Sequence, residues 1–294
     1  MFYRRKIILS LLQIFEGQLD KLYLQKLLFL FSQRQTKSDY DFIPYKYGCF
    51  SYSANADILA LIKNGVLTED ENSFRSISND NFIKTLKESD KKILQEVKAQ
   101  YGKLSSSALM KHTYLNFPFY AINSLKAREI LNAAEFEKVV KQKPTLLSVT
   151  LFTIGYEGDS LENYLNRLIK NNVKLLIDVR NNALSMKYGF SKSQLKKFCD
   201  SVGISYLHIP QVGIQSDQRQ ELKTQNDYDN LFEIYKKENL NKTLSFQKTI
   251  VNLLEKHNRI ALTCFEANIH QCHRKHLADA VSKLANFEHE LKHI

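Results

Sequence analysis

The chain has 294 residues, a length typical of about two domains. Hydrophobic residues make up 44% and charged residues 25%, and no stretch approaches the roughly 18 apolar residues that a membrane span needs. Four cysteines in a chain of this size argue against a disulfide scaffold. We therefore expect a cytoplasmic protein without a membrane partner.

The charge balance is basic. Forty-two Lys and Arg against 31 Asp and Glu give a net charge of +11, and the excess leans to residues 1–148, with 22 basic and 15 acidic residues. Such a balance is typical of proteins that bind nucleic acid or another polyanion, although a lysine-rich soluble protein would show it too. We expect a nucleic-acid partner, DNA in particular.

The first half of the chain has apolar residues at helical spacing. Residues 66–77 interrupt this pattern with two short apolar runs around an acidic turn, which predicts a hairpin. Helices closed by a small hairpin are typical of a winged helix-turn-helix, so residues 1–143 are predicted to be a mostly helical, winged-helix-like region that binds nucleic acid or a partner. Helices are predicted over residues 3–16, 20–33, 51–64, 80–100 and 124–141.

Two stretches of this half resemble a known family. Residues 24–29 (LQKLLF) and 45–51 (YKYGCFS) are similar to the antitoxin-like Panacea (DUF4065) domains, and the resemblance covers roughly residues 5–115. Gly48-Cys49 stands where that family usually has Gly-Pro. The resemblance implies an interaction or DNA-binding module rather than a catalyst.

A polar, proline-containing stretch at residues 141–145 is the predicted boundary. From residue 146 to 294 apolar, β-branched strands alternate with helices, which predicts an α/β domain with an open, mainly parallel sheet flanked by helices. Strands are predicted over 147–154, 173–179, 203–210 and 259–265, and helices over 160–170, 191–201, 243–257 and from 272.

Polar residues follow each of the four predicted strands. In an open parallel sheet ligands bind at the carboxyl ends of the strands, so these residues are expected to meet around one pocket. The stretch 264–274 also opens a helix, whose N–H groups and dipole favour an anion. The predicted base- and phosphate-binding residues are Tyr156, Arg180, Lys187, Tyr188, His273 and Arg274.

Two carboxylates are candidates for acid–base catalysis. Asp178 and Glu266 are of the type that stabilises an oxocarbenium-like sugar in glycosidic hydrolysis. Each carboxylate also has a structural interpretation. Asp178 could form an ion pair with Arg180 or Arg274, and Glu266 could cap the last helix or form an ion pair on it.

The cysteines suggest two further chemistries. Cys272 at a helix N-terminus, beside His273 and Arg274, is predicted to have a lowered pKa and is a candidate nucleophile, although no Cys-x5-Arg loop is present. Zinc is the other possibility, but the spacing matches no recognised zinc pattern, so no metal and no cofactor are predicted. The potential metal ligands are Cys264, His270, Cys272, His273 and His276.

Five sequence blocks of this half resemble the DUF488 family in order and spacing, over about residues 150–285. The resemblance implies a DUF488-type domain but no activity, because that family has no settled biochemistry. The family tends to have Pro and Arg after the Asp-Val-Arg block, and here that loop leaves only Lys187 as a basic residue. The blocks are 153–156 (TIGY), 178–180 (DVR), 188–190 (YGF), 203–206 (GISY) and Cys264-x-Glu266 with Cys272-His273-Arg274.

Together these observations favour a nucleic-acid-directed enzyme that acts on nucleotides or DNA bases, such as a glycosylase-like hydrolase of modified or foreign DNA. A role in phage defence is a hypothesis that depends on the antitoxin-like resemblance. The alternative is a non-catalytic DNA-binding sensor or regulator with a phosphate-containing, nucleotide-like ligand in the C-terminal domain. The oligomeric state is open, and a homodimer is one possibility.

Overall fold

The computed structural model describes residues 1–145, 147–215, 218, 222–284 and 287–294. The chain divides into two compact units, Met1–Lys143 and Pro144–Ile294. Of the helices in these described ranges, none is long and apolar enough to cross a membrane.

The N-terminal unit is mostly helical, as predicted. Its helices are α1 (Tyr3–Ile14), α2 (Lys21–Ser32), α3 (Tyr52–Lys63), α4 (Glu88–Tyr101), α5 (Ser106–Asn116), α6 (Ala127–Ile130) and α7 (Ala133–Val140). Its strands are β1 (Gln18–Asp20), β2 (Ile43–Tyr45), β3 (Gly48–Phe50), β4 (Leu67–Glu69) and β5 (Ser73–Ser76).

An antiparallel sheet of three strands, in the order β1-β5-β4, closes this unit. The predicted hairpin is its β4–β5 pair. Apart from the β2–β3 hairpin between α2 and α3, the order helix, strand, helix, helix, hairpin is that of a winged helix. However, residues 33–51 separate α2 from α3 and contain the β2–β3 hairpin, where a helix-turn-helix has a turn of only a few residues. The helix-turn-helix element is therefore expanded.

Two predicted helices have different bounds in the structure. The helix predicted over 80–100 begins only at Glu88, after a 3₁₀ turn at Ile83–Thr85. The helix predicted over 124–141 is divided into α6 and α7. Asn132 and Glu135 explain the division, because they form a reciprocal capping box that starts a new helix.

The C-terminal unit is an α/β domain. Its strands are β6 (Thr150–Gly155), β7 (Leu175–Asp178), β8 (Ser205–His208), β9 (Arg259–Cys264) and β10 (Glu290–His293). Its helices are α8 (Leu161–Lys170), α9 (Lys192–Ser201), α10 (Gln225–Ile234), α11 (Leu244–His257) and α12 (His273–Ser282), and a π-helical segment at Tyr235–Leu240 follows α10.

The five strands form one parallel sheet in the order β10-β6-β9-β7-β8, so the predicted parallel sheet flanked by helices is confirmed. The central strands β6, β7 and β9 are buried on both faces, which explains their continuous apolar sequences. The sequence did not predict β10, because its residues Glu-Leu-Lys-His are polar and mostly exposed, as expected of an edge strand.

Candidate functional site

The carboxyl ends of the three central strands lie side by side. Gly155 at the end of β6 pairs with Cys264 of β9, and Asp178 at the end of β7 pairs with Thr263 of β9. The loops that follow these strands therefore start from neighbouring points of the sheet. This is the edge where an open parallel sheet binds its ligands.

A cavity of about 300 Å³ opens at this edge. Three of the residues predicted to bind a ligand line it, namely Tyr156, Arg180 and His273. The remaining lining residues were not among the predicted site residues, and five of them follow Arg180 in a single loop. The complete lining is Tyr156, Arg180, Asn181, Asn182, Leu184, Ser185, Met186, Ile214, Phe265 and His273.

Arg180 is held rigidly by the carboxylate of Asp178. Its Nε donates to Asp178 Oδ1 at 2.8 Å and its Nη2 to Asp178 Oδ2 at 2.5 Å, while Nη1 donates to the hydroxyl of Tyr156 at 2.6 Å. Burial acts to lower the pKa of Arg180, but its hydrogen bonds and the charge of Asp178 outweigh burial, so the pKa is raised. The guanidinium therefore stays charged at the cavity wall.

Asp178 is fully buried and is not among the residues that line the cavity. Besides Arg180, it accepts a hydrogen bond from the hydroxyl of Tyr206 at 2.7 Å. Burial, followed by the charge of Asp178, raises the pKa of Tyr206, so this phenol stays a donor. The geometry thus has the ion pair that the sequence offered as the alternative for Asp178, and this carboxylate acts by positioning Arg180.

Arg274 is also buried, but it binds the protein backbone. Its Nη1 donates to the carbonyl of Glu266, and its Nη2 donates to the carbonyl of Ala267 at 3.2 Å. Gly155 makes room for this loop, since a Cβ at residue 155 would lie 1.9 Å from the Glu266 carbonyl oxygen. Arg274 therefore stabilises the turn after β9 instead of lining the cavity.

Lys187 and Tyr188 do not line the cavity either. Lys187 Nζ donates to the carbonyl of Tyr156 at 2.7 Å, and burial lowers the pKa of this lysine. The ring of Tyr188 packs against Phe198 with centroids 5.9 Å apart. Lys187 thereby holds the loop after β7 against the loop after β6.

The aromatic ring best placed for stacking is Phe265, which was not among the predicted site residues. Phe265 lines the cavity and is 41% exposed. Tyr156 is buried, and the ring of Phe190 stacks on it with centroids 4.2 Å apart and ring planes 8° from parallel. A position directly after a strand, between Cys264 and Glu266, was the available signal for Phe265.

Cys264, Cys272 and His273 form a buried cluster beside the cavity. Their potential ligand atoms lie within 4.8 Å of one another, and Cys264 Sγ lies 3.6 Å from His273 Nδ1. Cys264 Sγ also lies 3.2 Å from Glu266 Oε2. Elsewhere, His270 is exposed, and the ring of His276 packs against Phe232.

The predicted lowering of the Cys272 pKa is wrong. Cys272 is the N-cap residue of α12, but it is completely buried. Burial, together with the neighbouring thiol of Cys264, raises the Cys272 pKa well above its ordinary value, and the nearby Arg274 offsets this only in part. A neutral, inaccessible thiol is a poor nucleophile.

Comparison with known proteins identifies this half of the chain. No curated protein matches the chain. Residues 160–281 match the family model described as domain of unknown function DUF488. The match includes the Asp178–Arg180 pair, the loop that lines the cavity and the cysteine–histidine cluster. The C-terminal unit therefore contains a DUF488 domain, as its sequence blocks predicted.

Proposed function

We propose that this protein is directed to nucleic acid and that its DUF488 domain takes a base or a nucleotide into the cavity lined by Arg180 and Phe265. The observation that carries the proposal is the combination, in one cavity, of a rigidly oriented guanidinium, an exposed aromatic ring and side-chain amides. A nucleotide can use all three, through its phosphate, its ring and the polar edge of its base.

Each group suits a different part of such a ligand. Arg180 offers a permanent charge for a phosphate oxygen; Asp178 occupies its Nε and Nη2 edge and fixes its orientation, so a phosphate would approach the Nη1 edge, which also donates to Tyr156. Phe265 offers a face for stacking, an interaction worth about 1–3 kcal/mol per base. Asn181 and Asn182 carry donors and acceptors of the kind that read a base edge.

Two exposed apolar side chains favour a base within a nucleic-acid strand over a small free nucleotide. Leu184 and Met186 both line the cavity and are largely exposed to solvent. Exposed apolar side chains at a cavity rim are costly in water, whereas proteins that extrude a base often insert such side chains into the base stack. In this proposal Leu184 and Met186 fill the gap that the extruded base leaves.

A second candidate function is N-glycosidic hydrolysis of a modified or foreign DNA base, and Glu266 is the observation that favours it. Of the two predicted catalytic carboxylates, only Glu266 retains exposure, at 9%, and it follows Phe265 directly. Asp178 is committed to Arg180 and Tyr206. Glu266 is not among the residues that line the cavity, so hydrolysis would require it to turn from Cys264 toward the sugar. If Glu266 does not make this movement, the domain would bind its ligand without cleaving it and would act as a sensor.

The N-terminal unit would supply the long-range attraction to nucleic acid. Helix α3 occupies the place of a recognition helix, yet its Asp57 is buried in ion pairs with Arg4 and Arg5, and its exposed residues include Leu59. The segment that leads into and forms α4 is more basic, with Lys84, Lys87 and Lys92 exposed. We expect phosphate contacts there rather than from α3.

Binding of labelled single- and double-stranded DNA, plain and base-modified, tests the proposal when combined with analysis of released bases. Phe265→Ala should weaken binding by about 5- to 150-fold, the loss of one stacked base. Tyr188→Ala is the matched control, because this tyrosine is similarly exposed at 43% but does not line the cavity. Equal affinities for wild type and Phe265→Ala would contradict the proposal.

Glu266→Gln separates the two candidates. An enzyme should lose base release while keeping its affinity for DNA. A sensor should release no base in either form and should bind DNA differently when a nucleotide is added.

A further inference from the structure

The buried cluster beside the cavity has the composition of a metal site. It brings together two thiols and an imidazole from two elements, the end of β9 and the start of α12. Thiolate and imidazole are the ligands that zinc prefers in proteins. Glu266 adds a carboxylate oxygen 3.2 Å from Cys264 Sγ.

The distances fit a tetrahedral ion. With Zn–S near 2.3 Å and Zn–N near 2.05 Å, a tetrahedral site separates sulfur and nitrogen by roughly 3.6 Å. Cys264 Sγ and His273 Nδ1 are 3.6 Å apart. A carboxylate oxygen would lie roughly 3.5 Å from the sulfur, which a small movement of Glu266 provides. Cys264, His273 and Glu266 therefore need little rearrangement to surround one ion, and Cys272 Sγ lies within 4.8 Å of Cys264 Sγ and of a ring nitrogen of His273.

The orientation of His273 supports the same conclusion. Its Nε2 lies 3.0 Å from the carbonyl oxygen of Val179, and a carbonyl only accepts, so Nε2 carries the proton. The lone pair is then on Nδ1, the atom that faces Cys264. Metal-binding histidines are held by this kind of hydrogen bond from the second ring nitrogen to a carbonyl or carboxylate.

The surrounding charge is compatible with a bound cation. Two thiolates and one carboxylate around a divalent ion carry a net charge of −1. Arg274 lies next to this group, with its Nη1 on the carbonyl of Glu266, and the first N–H groups of α12 lie at Cys272. A cationic side chain and a helix N-terminus both stabilise such an anionic complex.

We propose that Cys264, Cys272 and His273 bind one thiophilic divalent ion, of the zinc class, with Glu266 as the fourth ligand, a role that excludes Glu266 as the catalytic carboxylate of the glycosidic alternative. The spacing in the sequence does not indicate this site. Cys264 ends β9 and Glu266 lies just after it, and the loop that follows brings Cys272 and His273, at the start of α12, back beside them. Since His273 also lines the cavity, the ion fixes one wall of the cavity to β9. Its role is to position that wall.

Metal content tests the proposal on the full-length protein, purified without metal-affinity resin. Wild type should retain about one zinc per chain, and Co²⁺ loaded in its place should show thiolate charge-transfer bands and the intense visible bands of tetrahedral coordination. Cys264→Ser and Cys272→Ser should lose the zinc and those bands. Cys199→Ser is the matched control, since Cys199 is a buried cysteine of the same domain outside the cluster.

Glu266→Gln tests the fourth ligand. The ion should remain on the two thiolates and the imidazole, while the visible cobalt bands shift and the affinity falls. An unchanged cobalt spectrum would show that Glu266 is not a ligand of the ion.

Three results would overturn the metal site. One is wild type that takes up neither zinc nor cobalt after reduction. Another is zinc that persists in the Cys264→Ser/Cys272→Ser double variant. The third is a Cys264–Cys272 disulfide in protein that does not bind metal. Mass spectrometry would detect it as a mass lower by two hydrogens on the peptides that contain these cysteines. None of these measurements uses nucleic acid, so their failure is distinguishable from a failure of the function proposed for the cavity.

Discussion

Lys26 of the N-terminal unit and Arg180 of the C-terminal unit are both buried cations, and they are compensated in opposite ways. In the N-terminal unit Lys26 donates to the carbonyls of Tyr47 at 2.5 Å and Cys49 at 3.1 Å, and burial lowers its pKa. In the DUF488 domain Arg180 is paired with the carboxylate of Asp178, and its pKa is raised. The two backbone carbonyls thus satisfy Lys26 but do not outweigh the effect of burial on its pKa, whereas Asp178 holds Arg180 in the charged form.

Both cations line a cavity, so the difference has consequences for ligands. The cavity beside Lys26 measures about 400 Å³ and is largely apolar, with Leu22, Phe50 and Phe74 in its wall. The cavity beside Arg180 has amide, hydroxyl and imidazole groups in its wall. The comparison teaches that the cavity beside Arg180 presents its cation in one fixed, charged form, whereas the cavity beside Lys26 has a largely apolar wall that also carries Lys21 and Lys46.

The largest expected effect comes from removing the carboxylate that distinguishes the two sites. Asp178→Asn leaves Arg180 buried without its counter-charge, and we expect a loss of about 3–5 kcal/mol in the free energy of unfolding. Chemical denaturation measures it. Asp159→Asn breaks the more exposed Arg167–Asp159 pair and should cost less than about 1 kcal/mol. Similar losses in both variants would show that Asp178 does not stabilise Arg180.

Gly155→Ala tests the loop that Arg274 holds beside the Arg180 cavity. The new Cβ would meet the Glu266 carbonyl, so we expect a destabilisation of about 1–3 kcal/mol and weaker ligand binding. Gly158→Ala is the control, because residue 158 has open space and only its positive φ of 73° to accommodate. A Gly155→Ala variant as stable as wild type would show that the loop can move away.

Exposed lysines are expected to act on nucleic acid through salt-dependent attraction alone. Replacing Lys84, Lys87 and Lys92 with Gln should reduce the slope of log K against log salt by about 0.9 for each lost phosphate contact on duplex DNA. Lys63→Gln in α3 should leave the slope unchanged. A slope that falls with Lys63→Gln and stays constant in the other variants would show that α3, and not the segment around α4, contacts the DNA.

The smallest expected effect is a pH dependence that Lys26 has and Arg180 lacks. Because the folded-state pKa of Lys26 is lowered, the unfolded chain binds more protons between that value and the ordinary 10.5. Wild-type stability should therefore rise relative to Lys26→Met as the pH rises through this window. Urea denaturation at several alkaline pH values measures the difference, with Lys46→Met as the exposed-lysine control. A constant difference would mean that Lys26 does not titrate there.

The fold was largely predictable because it depends on continuous apolar patterns. The strands that became β6, β7 and β9 are buried along their whole length and mostly apolar, since helices cover both faces of the sheet. Edge strand β10 pairs through its backbone and leaves most side chains exposed, so no pattern marked it.

The site was harder to predict, because sequence proximity does not say which way a side chain turns. Asp178 and Arg180 follow the same strand, yet Arg180 reaches the cavity and Asp178 does not. Arg274 looked equivalent to Arg180 but binds two carbonyls. Tyr206, recognised only as part of a family block, proved to be the second donor to Asp178.

The order of strands has a practical consequence for anyone who dissects this protein. The family match begins at residue 160 and ends at 281, after β6 and before β10. A fragment cut at those limits would keep β7, β8 and β9 but would lack β6, the neighbour of β9. The backbone N–H and C=O groups on that edge of β9, an apolar strand, would be unpaired and could pair with other chains. Such a fragment is expected to aggregate, so expression of the DUF488 domain should start before Thr150 and continue past His293.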